Sequence, residues 1–183
     1  LFVVSAVESL SETVLAHLDK GHTRADVEVA LAATRAAGIA LRPTWVAFTP
    51  WTTLRDFVEV LDWVAARDLV DHVDPVQYSL RLLVPPGSRL VDHPGMLPYL
   101  GALVAADFSY AWRHPDPRME TLQAGVAALI AESAPRAEDS AVTFDRVRAL
   151  AATVAGTPAP APLAPRLAPD RRRPPRLTEP WFC

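Results

Sequence analysis

The sequence predicts an α/β fold built on a parallel sheet. Apolar segments typical of strands alternate with amphipathic helical segments, and successive strands begin roughly 35 residues apart. The first segment, residues 1–7, is apolar except for Ser5, which is typical of a parallel strand covered on both faces. The chain has 183 residues, of which 50% are hydrophobic and 21% charged, so it can form one domain with a core and is not globally disordered.

Capping residues and glycines mark the ends of the predicted helices. Ser9 or Ser11 can cap a short first helix, and Thr23 and Thr53 each precede an acidic residue by three positions, as in a capping box. Proline near the start of a predicted strand is tolerated. The predicted order is a strand at 1–7, a helix to residue 18, a helix at 23–37, a strand at 39–48, a helix from residue 53 and a strand at 73–84.

Beyond Gly87 the pattern becomes helical, and then the composition changes. The spacing of apolar residues predicts helices at 96–107, 116–133 and 140–155. Eight of the last 27 residues are proline, and arginines cluster there, which predicts an extended, poorly packed tail. Such a tail is either a solvated linker or a basic segment that contacts an acidic partner or nucleic acid. Cys183 beside two aromatic residues favours a docking or reactive element.

Several functional classes are disfavoured by composition. A net charge of −3 gives no overall basic signature, so a nucleic-acid partner is not expected, and no apolar stretch approaches the roughly 18 residues of a membrane helix. One cysteine allows no disulfide within the chain, and the five histidines lack metal-ligand spacing, so no metal site is expected. Without a signal-peptide pattern, a cytoplasmic protein is expected. The abrupt apolar start and aromatic end favour a fragment.

Candidate site residues follow the first predicted strand. In parallel sheets, ligands bind at the carboxyl ends of the strands. Glu8 and Ser9 lie there, with Ser5 three positions earlier. A carboxylate followed by a hydroxyl suits the two hydroxyls of a ribose, because the carboxylate accepts both protons. The alternative is that Glu8 and Ser9 only cap the following helix.

The next two strands supply the other candidates. Phe48, Thr49 and Pro50 follow the second strand, and the third strand carries Arg81. Arg42 lies on the second strand. An arginine on an inner strand pairs with a carboxylate, which belongs either to the protein or to a ligand.

Five short motifs resemble the second half of a radical SAM core in order and spacing. They are VSAVES (4–9), KGHT (20–23), AGI (37–39), FTPWTT (48–53) and VPPGS (84–88). The resemblance implies that residues 1–92 form the last three βα units of a partial (βα)6 barrel. It implies a helical accessory region at 93–156 and a flexible Pro/Arg-rich tail at 157–183.

The resemblance also implies S-adenosylmethionine (SAM) and a 4Fe–4S cluster as cofactors. Glu8 and Ser9 match the position that contacts the ribose, and the turn at 48–50 matches the one beside the adenine. Ser5 and Arg81, chosen for their positions on the predicted strands, complete the predicted cofactor-binding set. The family's CxxxCxxC cluster ligands are absent from this chain, so the chain alone is expected to be inactive.

The last residues, EPWFC (179–183), resemble the start of the tail in the radical SAM group that ends in CUAEP or CCAEP, where U is selenocysteine. The implied enzyme cleaves SAM reductively to a 5′-deoxyadenosyl radical, which abstracts hydrogen from a substrate. Its electron donor would be a flavodoxin or ferredoxin.

Two alternatives remain open. The chain could be a noncatalytic α/β partner or decayed barrel half that acts through its basic, proline-rich tail. An aldolase-like barrel is disfavoured, because Lys20, the only lysine, lies between a predicted helix and a loop rather than on a strand.

Overall fold

The computed structural model describes residues 1–171 and 173–175, which have a mixed α/β fold. The strands are β1 (Phe2–Glu8), β2 (Ala40–Trp45), β3 (Leu100–Val104) and β4 (Ser109–Trp112). The helices are α1 (Glu12–His17), α2 (Arg24–Ala36), α3 (Leu54–Ala66), α4 (Pro117–Ser133) and α5 (Ser140–Ala155). Within the described ranges, none of these helices combines the length and apolar character that crossing a bilayer requires.

β1 and β2 form a parallel pair, as the alternation of strands and helices predicts. Phe2 lies opposite Ala40 at one end of the pair and Glu8 opposite Trp45 at the other. The carboxyl ends of both strands therefore meet at the same edge of the sheet. In the described residues the strands do not close into a barrel.

The predicted third strand at 73–84 is wrong over most of its length. Phe48 donates its N–H to the Leu80 carbonyl at 3.0 Å, and its own carbonyl accepts from the Leu82 N–H at 2.8 Å. This single parallel bridge is all that remains of the strand. Pro75 begins a 3-10 turn, Pro75–Ser79, because its fixed φ suits a helical first turn and its nitrogen cannot donate to a ladder.

β1 is not covered on both faces, contrary to the prediction. The side chains of Val3 and Val4 are 41% and 46% exposed, whereas Val7 is buried. The reason is that α2 packs against β2, so only the carboxyl half of β1 reaches the core.

Helix boundaries agree closely with the capping pattern. Both predicted capping boxes form: Thr23 and Asp26 exchange hydrogen bonds ahead of α2, and Thr53 and Asp56 do so ahead of α3. Asp116 caps α4 through the Arg118 N–H. These boundaries are local interactions within three residues, which is why sequence alone predicts them.

The helix predicted at 96–107 is wrong, because β3 and β4 form an antiparallel hairpin there. Val104 lies opposite Ser109, and Phe108 takes a left-handed conformation, φ 50°, in the turn. The Trp112 indole N–H donates to the Leu82 carbonyl at 2.8 Å. A second, small apolar cluster lies beside the main core and consists of Leu82, Val84, Met96 and Trp112. The extended backbone of the hairpin allows Trp112 to join this cluster.

The described part of the tail contacts the body at several points, contrary to the predicted poor packing. We call residues 157–171 the C-terminal strap. Leu163 and Leu167 pack against the main core. Asp145 on α5 accepts the N–H groups of Leu163, at 2.7 Å, and Ala164, at 2.8 Å. Residues 176–183, including Cys183, lie outside the described residues, and the domain boundaries after 92 and 156 stay predictions.

Candidate functional site

Glu8 ends β1 in an unusual backbone conformation. Its φ is +64°, a left-handed value that is uncommon for a residue other than glycine. The Ser9 N–H donates to the Val7 carbonyl at 2.8 Å, closing a three-residue turn around Glu8. The Glu8 carbonyl accepts from Val46 N–H at 3.0 Å, which ties the turn to the chain after β2. Strained backbone of this kind is concentrated at functional sites.

The loop after α1 folds over this turn and neutralises the Glu8 carboxylate. Lys20 Nζ lies 2.9 Å from Glu8 Oε1, and the two side chains are 26% and 17% exposed. The His22 ring lies close by, with Nε2 3.2 Å from the Val7 carbonyl oxygen. The KGHT segment therefore places its cation directly against the candidate carboxylate.

Ser9 and Ser5 have structural roles in this arrangement. Ser9 is buried, and its hydroxyl accepts the Ser11 N–H at 3.1 Å just before α1. Ser11 is the N-cap residue of α1, and no side chain caps that helix, so Ser9 fixes the backbone ahead of the helix rather than capping it, and the Glu8 carboxylate takes no part in that contact. Ser5 lies opposite Pro43 within the ladder, three residues, or about 10 Å, before Glu8.

The polar side chains in the turn after β2 hydrogen-bond within the turn rather than facing outward. Thr49 Oγ1 lies 2.8 Å from Thr52 Oγ1 and accepts the Thr52 N–H at 3.1 Å. Thr49 and Pro50 are buried, and the Phe48 ring packs against that of Phe57 with centroids 5.0 Å apart. These predicted site residues shape the sheet edge but present no free polar group to a ligand.

Arg81 pairs with a carboxylate of the protein. It forms a bidentate pair with Glu120 on α4, at 2.8 and 2.9 Å, and donates to the Trp112 carbonyl at 2.6 Å. Its guanidinium also lies 3.6 Å from the centroid of the Trp112 ring. Burial raises the pKa of Glu120, but the hydrogen bonds from Arg81 and the His114 N–H outweigh it and lower that pKa below its usual value.

Arg42 is similar. It is buried on β2 and lies 2.8 Å from Asp74. Both strand arginines therefore follow the structural alternative.

A small cavity of about 10 Å³ lies behind Glu8 and Ser9, with Trp45 and Tyr78 in its wall. That volume holds about one water molecule. Trp45 Nε1 and the Tyr78 hydroxyl are buried without a hydrogen-bond partner among the described residues. Burial, and then the charge of Asp74, raise the pKa of Tyr78 well above its usual value. This cavity suits a water rather than a nucleoside.

An aromatic cluster that the sequence analysis missed flanks the same edge. The His17 ring stacks on Trp51 at 4.3 Å and 15°, and His93 lies edge-on to His17 at 5.5 Å. The Trp51 indole N–H donates to the Gly95 carbonyl at 3.0 Å. Burial, and then the charge of His93, lower the pKa of His17. Trp51 follows β2 by six residues, which is a signal of a position at this sheet edge, whereas His17 lies nine residues after β1, at the end of α1, where no local pattern indicates the contact.

The cluster depends on glycine at position 95. A Cβ added to Gly95 would lie 2.6 Å from His17 Cε1 and 3.1 Å from His93 Cε1. We expect Gly95→Ala to lower the free energy of unfolding by about 1–2 kcal/mol, because the stacked His17 ring must move. Urea denaturation measures this loss. Adding His17→Ala should relieve part of it, and a Gly95→Ala protein as stable as the parent would contradict the packing.

The described residues fit the two implied cofactors unequally. The Glu8 carboxylate, partly exposed at the strand end, fits a ribose diol, whereas Phe48, Thr49 and Arg81 are occupied by protein contacts. In the described part of the chain, no three His, Cys, Asp or Glu side chains come together in a way that could hold a metal ion. These residues therefore do not supply ligands for an iron–sulfur cluster.

Comparisons with protein-family models, with curated proteins and with solved structures find no match to this chain.

Proposed function

We propose that this chain forms the later part of a radical SAM barrel, with β1, β2 and the bridge at residue 81 as three consecutive parallel strands. The parallel order supports the proposal, as does the meeting of the VSAVES and FTPWTT motifs at one sheet edge. The partly exposed apolar edge at Val3 and Val4 is compatible with a further strand beside β1.

The observation that carries the proposal is the Glu8 turn. A carboxylate is fixed at the end of a parallel strand by a strained backbone, and Lys20 lies against only one of its oxygens at 2.9 Å. In the proposed site, Glu8 accepts hydrogen bonds from the two ribose hydroxyls of SAM, Lys20 pairs with one carboxylate oxygen, and Ser9 holds the backbone ahead of α1.

The chemistry itself belongs to the cofactors. In a full cytoplasmic enzyme, SAM and a reduced 4Fe–4S cluster held outside this chain would supply the radical chemistry for hydrogen abstraction, with a flavodoxin or ferredoxin as electron donor. The described residues would bind and orient the nucleoside, and the cluster ligands would come from a CxxxCxxC segment that this chain lacks.

Glu8→Gln tests the binding role. We expect SAM, titrated into the chain, to shift the backbone amide resonances of residues 7–9, and Glu8→Gln to weaken this binding about tenfold, a loss of about 1.4 kcal/mol. Glu12→Gln is the matched control, because Glu12 is exposed one turn away and accepts only the Arg24 N–H in the described structure. Equal SAM affinities of the two variants would contradict the proposed role of Glu8.

The alternative, a noncatalytic partner acting through its basic tail, has less support. Arg171 and Arg173 of the tail pair with Asp71 and Asp139 of the same chain, so their charges are already compensated.

A further inference from the structure

The hairpin of β3 and β4 is a sheet of only two strands, and one of its edges is open. The outer side of β4 is occupied, because the Tyr110 N–H donates to the Val84 carbonyl at 2.8 Å and the Ser109 hydroxyl accepts the Val84 N–H at 2.9 Å. In the part of the chain that the structure describes, no strand pairs with the outer side of β3. The sheet therefore has its free edge along β3.

The backbone of Leu103 points outward from this edge. Leu103 lies directly opposite Tyr110 in the register, and the Tyr110 N–H points away from β3 toward Val84. The two residues therefore form a non-hydrogen-bonded pair, in which the N–H and C=O of each residue point away from the other strand. Among the described residues, no backbone group bonds to the N–H or C=O of Leu103 on its outer side. Leu103 thus offers one donor and one acceptor to a further strand.

The side chains around this edge are apolar and exposed. The exposed fraction is 46% for Leu103 and 70% for Phe108 in the turn, and Leu97 and Val104 are exposed as well. β3 itself is exposed at four of its five residues. Natural proteins protect such edges with charged residues or proline, and residues 100–104 contain neither. An unprotected apolar edge of this kind indicates an interaction surface.

The charge and the symmetry of the edge select its occupant. Residues 94–106 contain no charged side chain, so the edge does not attract a charged peptide, and two copies of it meet without like-charge repulsion. A two-fold axis places β3 of a second copy antiparallel to the first. The outward donor and acceptor of Leu103 in each copy then face those of the other, so the edge is complementary to itself.

We propose that two copies of this chain associate through β3, centred at Leu103, to form a four-stranded antiparallel sheet. The register of β3 and β4 is irregular between Leu100 and Leu103, so regular pairing is confined to the end of the strand. The buried area is therefore small, on the order of 1,000 Å² for both copies, which is the lower limit for a specific interface. The dimer is weak and reversible, with a dissociation constant of about 10–100 µM. It does not depend on the proposed SAM site at Glu8.

Sedimentation equilibrium of the full chain tests the association. Cys183→Ser is the parent protein for this experiment, because Cys183 is the only cysteine and its removal excludes disulfide-linked dimers. We expect the mean mass to rise from that of one chain, 19.9 kDa, toward that of two as the concentration passes through the dissociation constant. A chain that stays monomeric tenfold above that range would overturn the proposal and leave the edge to a strand of another protein or to solvent.

Leu103→Lys tests the position of the interface. It brings two positive charges together at the two-fold axis, so the dissociation constant should rise at least tenfold. Val29→Lys is the matched control, because Val29 is also exposed, at 68%, but lies on α2 rather than on the hairpin. We expect the control to associate like the parent. A Leu103→Lys protein that dimerises as strongly as Val29→Lys would overturn the proposal.

A mixture of Leu103→Lys and Leu103→Glu tests whether β3 pairs with its own copy. Each variant alone should stay monomeric, and the equimolar mixture should associate at least tenfold more strongly, because opposite charges then meet across the axis. Urea denaturation at a concentration where the parent is monomeric shows that the variants fold. If only one variant folds, its own failure to associate decides the test. A mixture of folded variants that associates no more strongly than either alone would contradict the self-pairing.

Discussion

Replacing Arg171 with glutamine is expected to lower the free energy of unfolding by about 2–3 kcal/mol, because two carboxylates lose the more buried of the two arginines that pair with both of them. Arg171 Nε lies 2.5 Å from Asp71 Oδ2, and Nη2 lies 2.7 Å from Asp139 Oδ1. Arg171 and Asp71 are each only 14% exposed, so solvent compensates little of the loss. We call Arg171, Asp71 and Asp139 the latch, because these residues join the strap to the turn at Asp71 and to the start of α5. In the variant, the strap is expected to detach first.

Urea denaturation measures the loss of stability, and limited proteolysis measures the detachment of the strap. Arg136→Gln is the matched control, because Arg136 is 65% exposed and pairs with Glu132 one turn away. Its loss should stay within about 0.5 kcal/mol. If Arg171→Gln destabilised the protein no more than Arg136→Gln, or left the strap equally resistant to protease, the latch would be contradicted.

The same latch makes stability depend on acid pH. The hydrogen bond from Arg171 lowers the pKa of Asp139 to about 2, against burial, which raises it. Burial also raises the pKa of Asp71, but the hydrogen bonds from Arg171 and Ser140 outweigh it, and that pKa falls below its usual value. Both folded pKa values lie below the unfolded ones, so this stabilisation is full above about pH 4 and is lost as the pH falls toward 2. Denaturation midpoints of Arg171→Gln should therefore fall less steeply over this range than those of the parent.

Arg81→Lys is expected to lower the free energy of unfolding by about 2 kcal/mol and to leave the SAM affinity of the folded protein unchanged. Lysine keeps the charge but loses the bidentate pair with Glu120 and the stacking on Trp112. A residue that contacts the cofactor would show the opposite pattern, with weaker SAM binding and little loss of stability.

Thermal or urea denaturation and the SAM titration together separate these outcomes. Arg118→Lys is the control, because Arg118 also forms a close pair with a carboxylate, Asp116, but is 61% exposed. We expect it to change stability by less than about 1 kcal/mol. Weaker SAM binding by Arg81→Lys, at unchanged stability, would show instead that Arg81 contacts the ligand.

The parts of the fold that depend on local chemistry could be predicted from the sequence. The capping boxes at Thr23 and Thr53 involve residues three apart, and the boundaries of α4 and α5 follow from their caps and apolar spacing. The hairpin at 100–112 could not be predicted in this way, because its stability depends on contacts of Trp112 with Leu82 and its neighbours, thirty residues earlier.

The same distinction between local and distant contacts applies to the candidate site. The end of β1 follows from the apolar run that stops at Glu8, so its position was accessible to sequence reasoning. The partner of Arg81 is Glu120, 39 residues away on α4, and no local pattern indicates that pair. The packing of the strap could not be predicted either. Its contacts, made by Leu163, Leu167 and Arg171, form only once α5 and the turn at Asp71 are in place.

The coding DNA around this segment tests the central claim, the radical SAM assignment, most directly. If the assignment is right, we expect in-frame codons for a CxxxCxxC motif ahead of Leu1, on the segment that would precede β1 and carry the cluster. It also predicts a UGA codon after Cys183, followed in frame by Ala-Glu-Pro. A frame ahead of Leu1 without such a cysteine motif, together with an ordinary stop, would contradict the assignment and leave Glu8 without a cofactor to bind.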